Sequence, residues 1–415
     1  MKFLKASIPA RVFCSAIVCA LALFALVIPE HFVSLADTPS PLKVEMIASP
    51  AGASSSEPQF TGDAGRVVLS WMETHGPHAT LKFTTHAASG WAAPKTAISG
   101  DNLLLNSFDV PAVRQLADGT LVAQWLQSSG GDPDSDAYDI RLSVSHDQGR
   151  TWSHPMSPHH DGTKTEHGFV SIFEPQGAGF GLIWLDGRAT DPEKESGDMA
   201  LRASLYDVQG KQLKEMVVSS RVCECCSTSA AQTSDGVIVA YRNRTKDEVR
   251  DIYTSRFAGG QWSTGVPVHN DGWRIEACPI NGPSISARGN SVAVGWFTGK
   301  DNQGKAFAAF SIDGGKTFGA PARVDDVSSG GRLAVQLLAD GSAAVMWVEN
   351  ANGHSQLEFR TVTPSGQRSA PITISKTTGG VPRLAYDEKD LLFSWTEGKE
   401  GAAHIQTARV TVNAK

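Results

Sequence analysis

One pattern recurs along almost the whole chain, and it restricts the fold more than any other feature. A tight turn leads into a short apolar strand that ends on an aromatic residue, as in Gly65-Arg66-Val67-Val68-Leu69-Ser70-Trp71 and again in Asp118-Gly119-Thr120-Leu121-Val122-Ala123-Gln124-Trp125. Later copies end at Trp184, Tyr241, Trp296, Trp347 and Trp395, so successive copies lie 54, 59, 57, 55, 51 and 48 residues apart. A period of this length is that of a repeat whose unit cannot bury its apolar face alone and must stack on its neighbours. Around each copy lie further alternating stretches, such as 140–145, 251–256, 305–312 and 357–362 after it and 110–115 or 283–287 before it. The period of two, the absence of helical periodicity and the Gly-containing turns predict three or four antiparallel strands per unit. The expected fold is therefore all-β, a β-propeller of four-stranded antiparallel blades, with seven blades favoured over six. The last copy runs out after three strands, near Val410. The stretch 42–47 is left over at the other end and can supply the missing outer strand, closing the ring and removing its open edges.

The first 36 residues are set apart from this repeat. Lys2, Lys5 and Arg11 precede an apolar run over 12–28 and a small-residue site at Ser34-Leu35-Ala36, the layout of an export signal peptide. The open alternative is an uncleaved membrane anchor, the one route by which this chain would meet a membrane. The expected organisation is a signal peptide over 1–36, a linker over 37–41 and one propeller domain over 42–415, placed in the periplasm or secreted. Without the leader the chain keeps 34 basic against 42 acidic residues, a formal charge of −8, which argues against nucleic acid as a partner.

Two copies carry an additional signature after their third strand, Ser145-His146-Asp147-Gln148-Gly149-Arg150-Thr151-Trp152 and Ser311-Ile312-Asp313-Gly314-Gly315-Lys316-Thr317-Phe318. In such a turn the Asp carboxylate can accept from backbone N–H groups of its own turn, while the Gly takes a left-handed conformation and the aromatic tucks under the hairpin. The set Ser145, Asp147, Gly149, Trp152 and its counterpart Ser311, Asp313, Gly315, Phe318 resembles the Asp-box, or BNR repeat, of the sialidase-like propellers. These boxes bear on fold, not on activity. The resemblance implies a carbohydrate-directed protein, either exo-glycosidase-like or glycan-binding. It departs from the sialidase pattern at Phe108-Asp109-Val110-Pro111, where Asp109 stands in place of the arginine that would meet a substrate carboxylate.

Strand order in a four-stranded blade puts the boxes on one face of the ring and almost everything chemically unusual on the other. That second face gathers Asp109, the run His159-His160-Asp161 leading to Glu166-His167, Asp186-Gly187-Arg188, Cys223-Glu224-Cys225-Cys226, Arg242-Asn243-Arg244 and Cys278. Asp109 and Glu166 are the acid/base candidates for glycoside hydrolysis, with Arg188 and Arg242 to bind an anionic group. Tyr138 and Arg141 are expected to be blade surface and Tyr241 core, and the acidic stretch 130–136 a solvated loop. Cys14 and Cys19 leave with the signal, so four cysteines remain. Cys278 can pair with one member of the 223–226 cluster. Alternatively, Cys223, Cys225, Cys226 and Cys278 with His167 can form a site for copper or zinc, or a redox centre. The expected ligand is a glycan or a small anion; a third possibility is a scaffold that docks another envelope protein.

Overall fold

The structure is a computed structural model and describes residues 42–412 except 63–64, 130–136, 178, 192–193, 195, 352 and 399–401. The segments expected to be a signal peptide (1–36), a linker (37–41) and a solvated acidic loop (130–136) therefore lie outside the described residues.

Among the described residues seven antiparallel sheets account for the regular structure, with a 3-10 turn at Lys300–Asn302. Each begins with a strand that lines the central channel: Ser55–Thr61 in blade 1, Ala112–Gln115 in blade 2, His167–Phe173 in blade 3, Ser229–Thr233 in blade 4, Ser284–Arg288 in blade 5, Ser329–Leu337 in blade 6 and Gly379–Tyr386 in blade 7. The second strands, Val67–His75, Leu121–Ser128, Phe180–Asp186, Gly236–Arg242, Ser291–Thr298, Ala343–Ala351 and Asp390–Glu397, are the apolar repeats seen in the sequence. Blade 7 takes its outer strand from the other end of the chain. Glu45–Ile47 pairs antiparallel with His404–Thr411, Met46 opposite Ala408. Blade 2 is the thinnest: beyond Tyr138–Ser145 only a bridge between Leu142 and Met156 marks the outer position.

The core is divided among the blade junctions. Every cluster of buried side chains draws on two neighbouring blades, for example Val122, Leu126 and Ile140 of blade 2 with Phe180, Leu182 and Trp184 of blade 3, or Met346 and Phe359 of blade 6 with Phe393 and Trp395 of blade 7. The strand-ending rings of Trp71, Trp184, Trp296, Trp347 and Trp395 are fully buried there. Four of these tryptophans carry an acid two residues on, and three use it: the indole N–H of Trp71 reaches Glu73 at 2.8 Å, that of Trp184 reaches Asp186 at 2.8 Å, and that of Trp347 reaches Glu349, while that of Trp395 does not reach Glu397. A buried indole donor needs a partner, and this W-x-Asp/Glu spacing supplies it.

Inner strands need partners for the polar groups on their channel-side edge. Serines stitch them to the adjacent blade: Val113 N–H donates to Ser70 at 3.3 Å, Ile285 N–H to Ser229 at 3.2 Å, Val335 N–H to Ser284 at 3.0 Å and Leu337 N–H to Ser286 at 3.0 Å. The turns at 145–152 and 311–318 fold alike. Asp147 and Asp313 each accept from two backbone N–H groups and a threonine hydroxyl of their own turn, and Gly149 and Gly315 sit at φ +79° and +78°. The Trp152 ring meets Phe83 edge-on at 6.0 Å, and Phe318 packs on the junction of blades 4 and 5.

Candidate functional site

In four of the seven blades the inner strand is broken at the same level by a bulge. The pairing register slips between Ser56 and Gln59, between Gly168 and Ser171, between Gly331 and Ala334 and between Gly379 and Arg383. One residue in each bulge is left-handed: Glu57 and Phe169 at φ +57°, Arg332 at +57° and Gly380 at +60°. For a non-glycine residue this conformation is costly, and bulges of this kind re-aim side chains beside functional sites.

A cavity of about 550 Å³ occupies the channel, lined by the inner strands of all seven blades. Arg114, Arg332 and Arg383 reach it from blades 2, 6 and 7, among Ser171, Ser227, Thr228, Asn281 and Gln59. The Arg332 guanidinium lies over the Phe108 ring at 4.3 Å and donates to the Ile280 carbonyl. The Arg383 Nε donates to the Pro58 carbonyl at 3.1 Å. Burial lowers the pKa of both; for Arg383 the neighbouring Arg332 charge adds to burial and brings it to about 10. Among the described residues no carboxylate forms an ion pair with either guanidinium. Two half-buried cations thus share one wall of a polar cavity, an arrangement that a bound anion would relieve.

Beside this wall lies a group of carboxyls. Asp109 is buried at the entrance to blade 2, where it accepts from the Phe169 N–H and from the Tyr138 hydroxyl at 3.2 Å. The same hydroxyl lies 2.7 Å from Glu166. Tyr138, expected on the blade surface, is therefore buried and joins the two acid/base candidates. Burial pushes Asp109 up to about 7, and burial followed by the Asp109 charge pushes Glu57 up to about 8. Asp109 Oδ1 and Glu57 Oε2 have no hydrogen-bond partner, so nothing at those oxygens offsets the burial that favours the protonated form. Gly168 makes room for the arrangement: a Cβ there would fall 1.9 Å from Asp109 Oδ2.

The other residues singled out in the sequence are engaged differently. Arg188 is gripped by Asp186 at 2.7 and 2.8 Å and by Glu215 at 3.0 Å. Arg242 is buried and donates to the carbonyls of Asn281, Arg250 and Phe297. Neither lines the channel cavity, as Arg114, Arg332 and Arg383 do. His167 does not join the cysteines. It stacks on His159 with centroids 3.8 Å apart and lies 3.3 Å from Asp161 and 3.9 Å from Asp186. Burial, then the His167 charge, holds His159 down at about 4.

Cys225 and Cys278 are joined in a disulfide, while Cys223 and Cys226 are buried thiols. The five-ligand set for copper or zinc expected from Cys223, Cys225, Cys226, Cys278 and His167 is therefore not assembled, because two of its sulfurs are bonded to each other and its histidine sits in another cluster.

Taken together, these features define a seven-bladed propeller with a cation-walled channel cavity. No family profile and no curated protein matches the chain. Among solved structures it is similar to a protein of unknown function from Dyadobacter fermentans (16% identity, 89% of this chain and 98% of that one, TM-score 0.49), to the polysaccharide lyase Uly1 (10%, 86% and 89%, 0.48) and to a mutant of the NanB sialidase from Streptococcus pneumoniae (11%, 91% and 93%, 0.45).

Proposed function

We propose that this chain is an exported, carbohydrate-directed propeller that holds an acidic, hydroxyl-rich small ligand in its channel cavity. The observation that carries the reading is the pair of half-buried guanidiniums, Arg332 and Arg383, lining a polar cavity with no carboxylate ion-paired to either among the described residues. Guanidinium forks match the geometry of a carboxylate, while the hydroxyl and amide groups around them suit a polyhydroxylated body. The turns at 145–152 and 311–318 resemble the Asp-boxes of sialidase-like propellers, and that resemblance supports a carbohydrate-directed reading. Asp109 and Glu166, linked through Tyr138, are the carboxyls assigned to proton transfer should the bound glycoside be cleaved; a carboxyl kept protonated near neutral pH is suited to donating a proton to a leaving group. Export rests on the leader-like segment 1–36 and fits the Cys225–Cys278 bond, since disulfides persist in oxidising compartments.

Calorimetric titration with glucuronic, galacturonic and sialic acids against their neutral counterparts tests the proposal. An acidic sugar should bind, and Arg383→Gln or Arg332→Gln should weaken it by about tenfold or more, the loss typical of a charge-assisted hydrogen bond. Equal binding of acidic and neutral sugars, or no loss in either variant, would overturn it. A screen of aryl glycosides with Asp109→Asn and Glu166→Gln as controls then decides whether binding leads to hydrolysis.

A further inference from the structure

Cys223, Cys225, Cys226 and Cys278 cluster beside the cavity, which Cys225 lines, in an arrangement that binding does not use. Cys223 Sγ lies 3.4 Å from Cys226 Sγ and 3.9 Å from Cys225 Sγ, and Cys225 is the inner half of the bond to Cys278. Cys223 and Cys226 are almost completely buried, whereas Cys278 is exposed. Arg250 Nη1 donates to Cys223 Sγ at 3.3 Å and is itself held by Glu224 at 2.7 Å and Glu248 at 3.0 Å. A sulfur near van der Waals contact with a disulfide sulfur, and stabilised as the anion, is placed for thiol–disulfide exchange.

We propose that Cys223 is a nucleophile toward the Cys225–Cys278 disulfide, so that the chain interconverts two disulfide arrangements at the wall of its cavity. In the forward step the Cys223 thiolate attacks Cys225 Sγ, the Cys223–Cys225 bond forms, the Cys225–Cys278 bond breaks, and Cys278 departs as a thiolate that takes a proton from water. One disulfide is lost and one is gained, so no outside oxidant or reductant is needed. The surroundings favour the anion at Cys223. Its hydrogen bond with Cys226, the charge of Arg242, the Cys225 N–H and Arg250 together hold it below the ordinary thiol range against its burial. Cys226 is pushed the other way by its burial and by the neighbouring Cys223 sulfur, and keeps its proton. The consequence is local. Ile280 and Asn281, two and three residues beyond Cys278, line the cavity together with Cys225, so exchange removes the covalent tether of a segment that forms one side of the ligand chamber and leaves it held by its hydrogen bonds to Arg242 and Arg332.

The test is a disulfide map of the full-length protein, trapped with N-ethylmaleimide under native, non-reducing conditions and read by peptide mass spectrometry. Exchange predicts that label accumulates on Cys278 as a Cys223–Cys225 linkage appears. The label should appear at least about tenfold more slowly in Cys223→Ser and should persist in Cys226→Ser, which retains a hydroxyl donor. A wild-type map that keeps Cys225–Cys278 intact with Cys278 unlabelled would overturn the proposal, as would equal labelling of Cys278 in wild type and Cys223→Ser. The wild-type map decides the matter even if a variant fails to fold.

Discussion

Replacing Asp109 by Asn should change how stability depends on pH, and the size of the effect follows from where the carboxyl sits. In the unfolded chain Asp109 ionises at its ordinary value of 3.8, whereas in the fold burial keeps it protonated up to about 7. Between those values the unfolded state has released a proton that the folded state still holds, so rising pH favours unfolding; above about 7 both are ionised and the penalty stays constant. At about 1.4 kcal/mol per pH unit, the full interval amounts to about 4 kcal/mol lost between acid and neutral pH. Asn keeps an oxygen that can accept the Phe169 N–H and removes the titration. Urea unfolding of wild type and Asp109→Asn at pH 5, 6, 7 and 8 should therefore show the variant gaining on wild type by roughly 2 kcal/mol between pH 5 and 7, with little further gain at pH 8. Because the Asp109 charge also raises Glu57, Glu57→Gln should behave similarly, with its gain continuing to about pH 8. Curves that stay parallel over the whole range would mean that Asp109 is ionised in the fold, and would refute the account of a protonated carboxyl beside the cavity.

Gly168→Ala puts a methyl where the Asp109 carboxyl now lies, and should cost about 3 kcal/mol by denaturant unfolding, an overpacking effect that Asp109→Ala in the same chain should partly relieve. Trp347→Phe removes the indole donor from Glu349 while keeping an aromatic ring in the junction, and should cost about 1–3 kcal/mol, whereas Trp395→Phe, whose indole N–H has no partner, should lose less. Deleting residues 42–47 leaves the edge of His404–Thr411 unpaired and should produce self-association visible by light scattering, together with faster amide exchange in that strand.

What the sequence reveals and conceals divides along a physical line. The strands ending at Trp71 or Trp347 are legible because one local requirement, an apolar face closed by a ring, recurs at a fixed period. The outer strand Glu45–Ile47 is legible because a blade short by one strand leaves an open edge that something must fill. The cavity wall has no such local rule. Whether an arginine is spent depends on what the fold places opposite it: Arg188 and Arg242 look available in sequence but are taken up by Asp186 and by backbone carbonyls, while Arg332 and Arg383 are aimed inward by bulges that pairing with the second strand creates. A faint trace of those bulges is present. Glycine precedes or occupies the left-handed position in Gly168-Phe169, Gly331-Arg332 and Gly379-Gly380, at the same point of three different blades. A repeat alignment that tracked glycines in the inner strand, as well as aromatics in the second, would have drawn attention to Arg332 and to the level of Asp109. For a ring of near-identical blades, the departures from the repeat that recur at one height are therefore a better guide to the site than the most reactive-looking residues on the face.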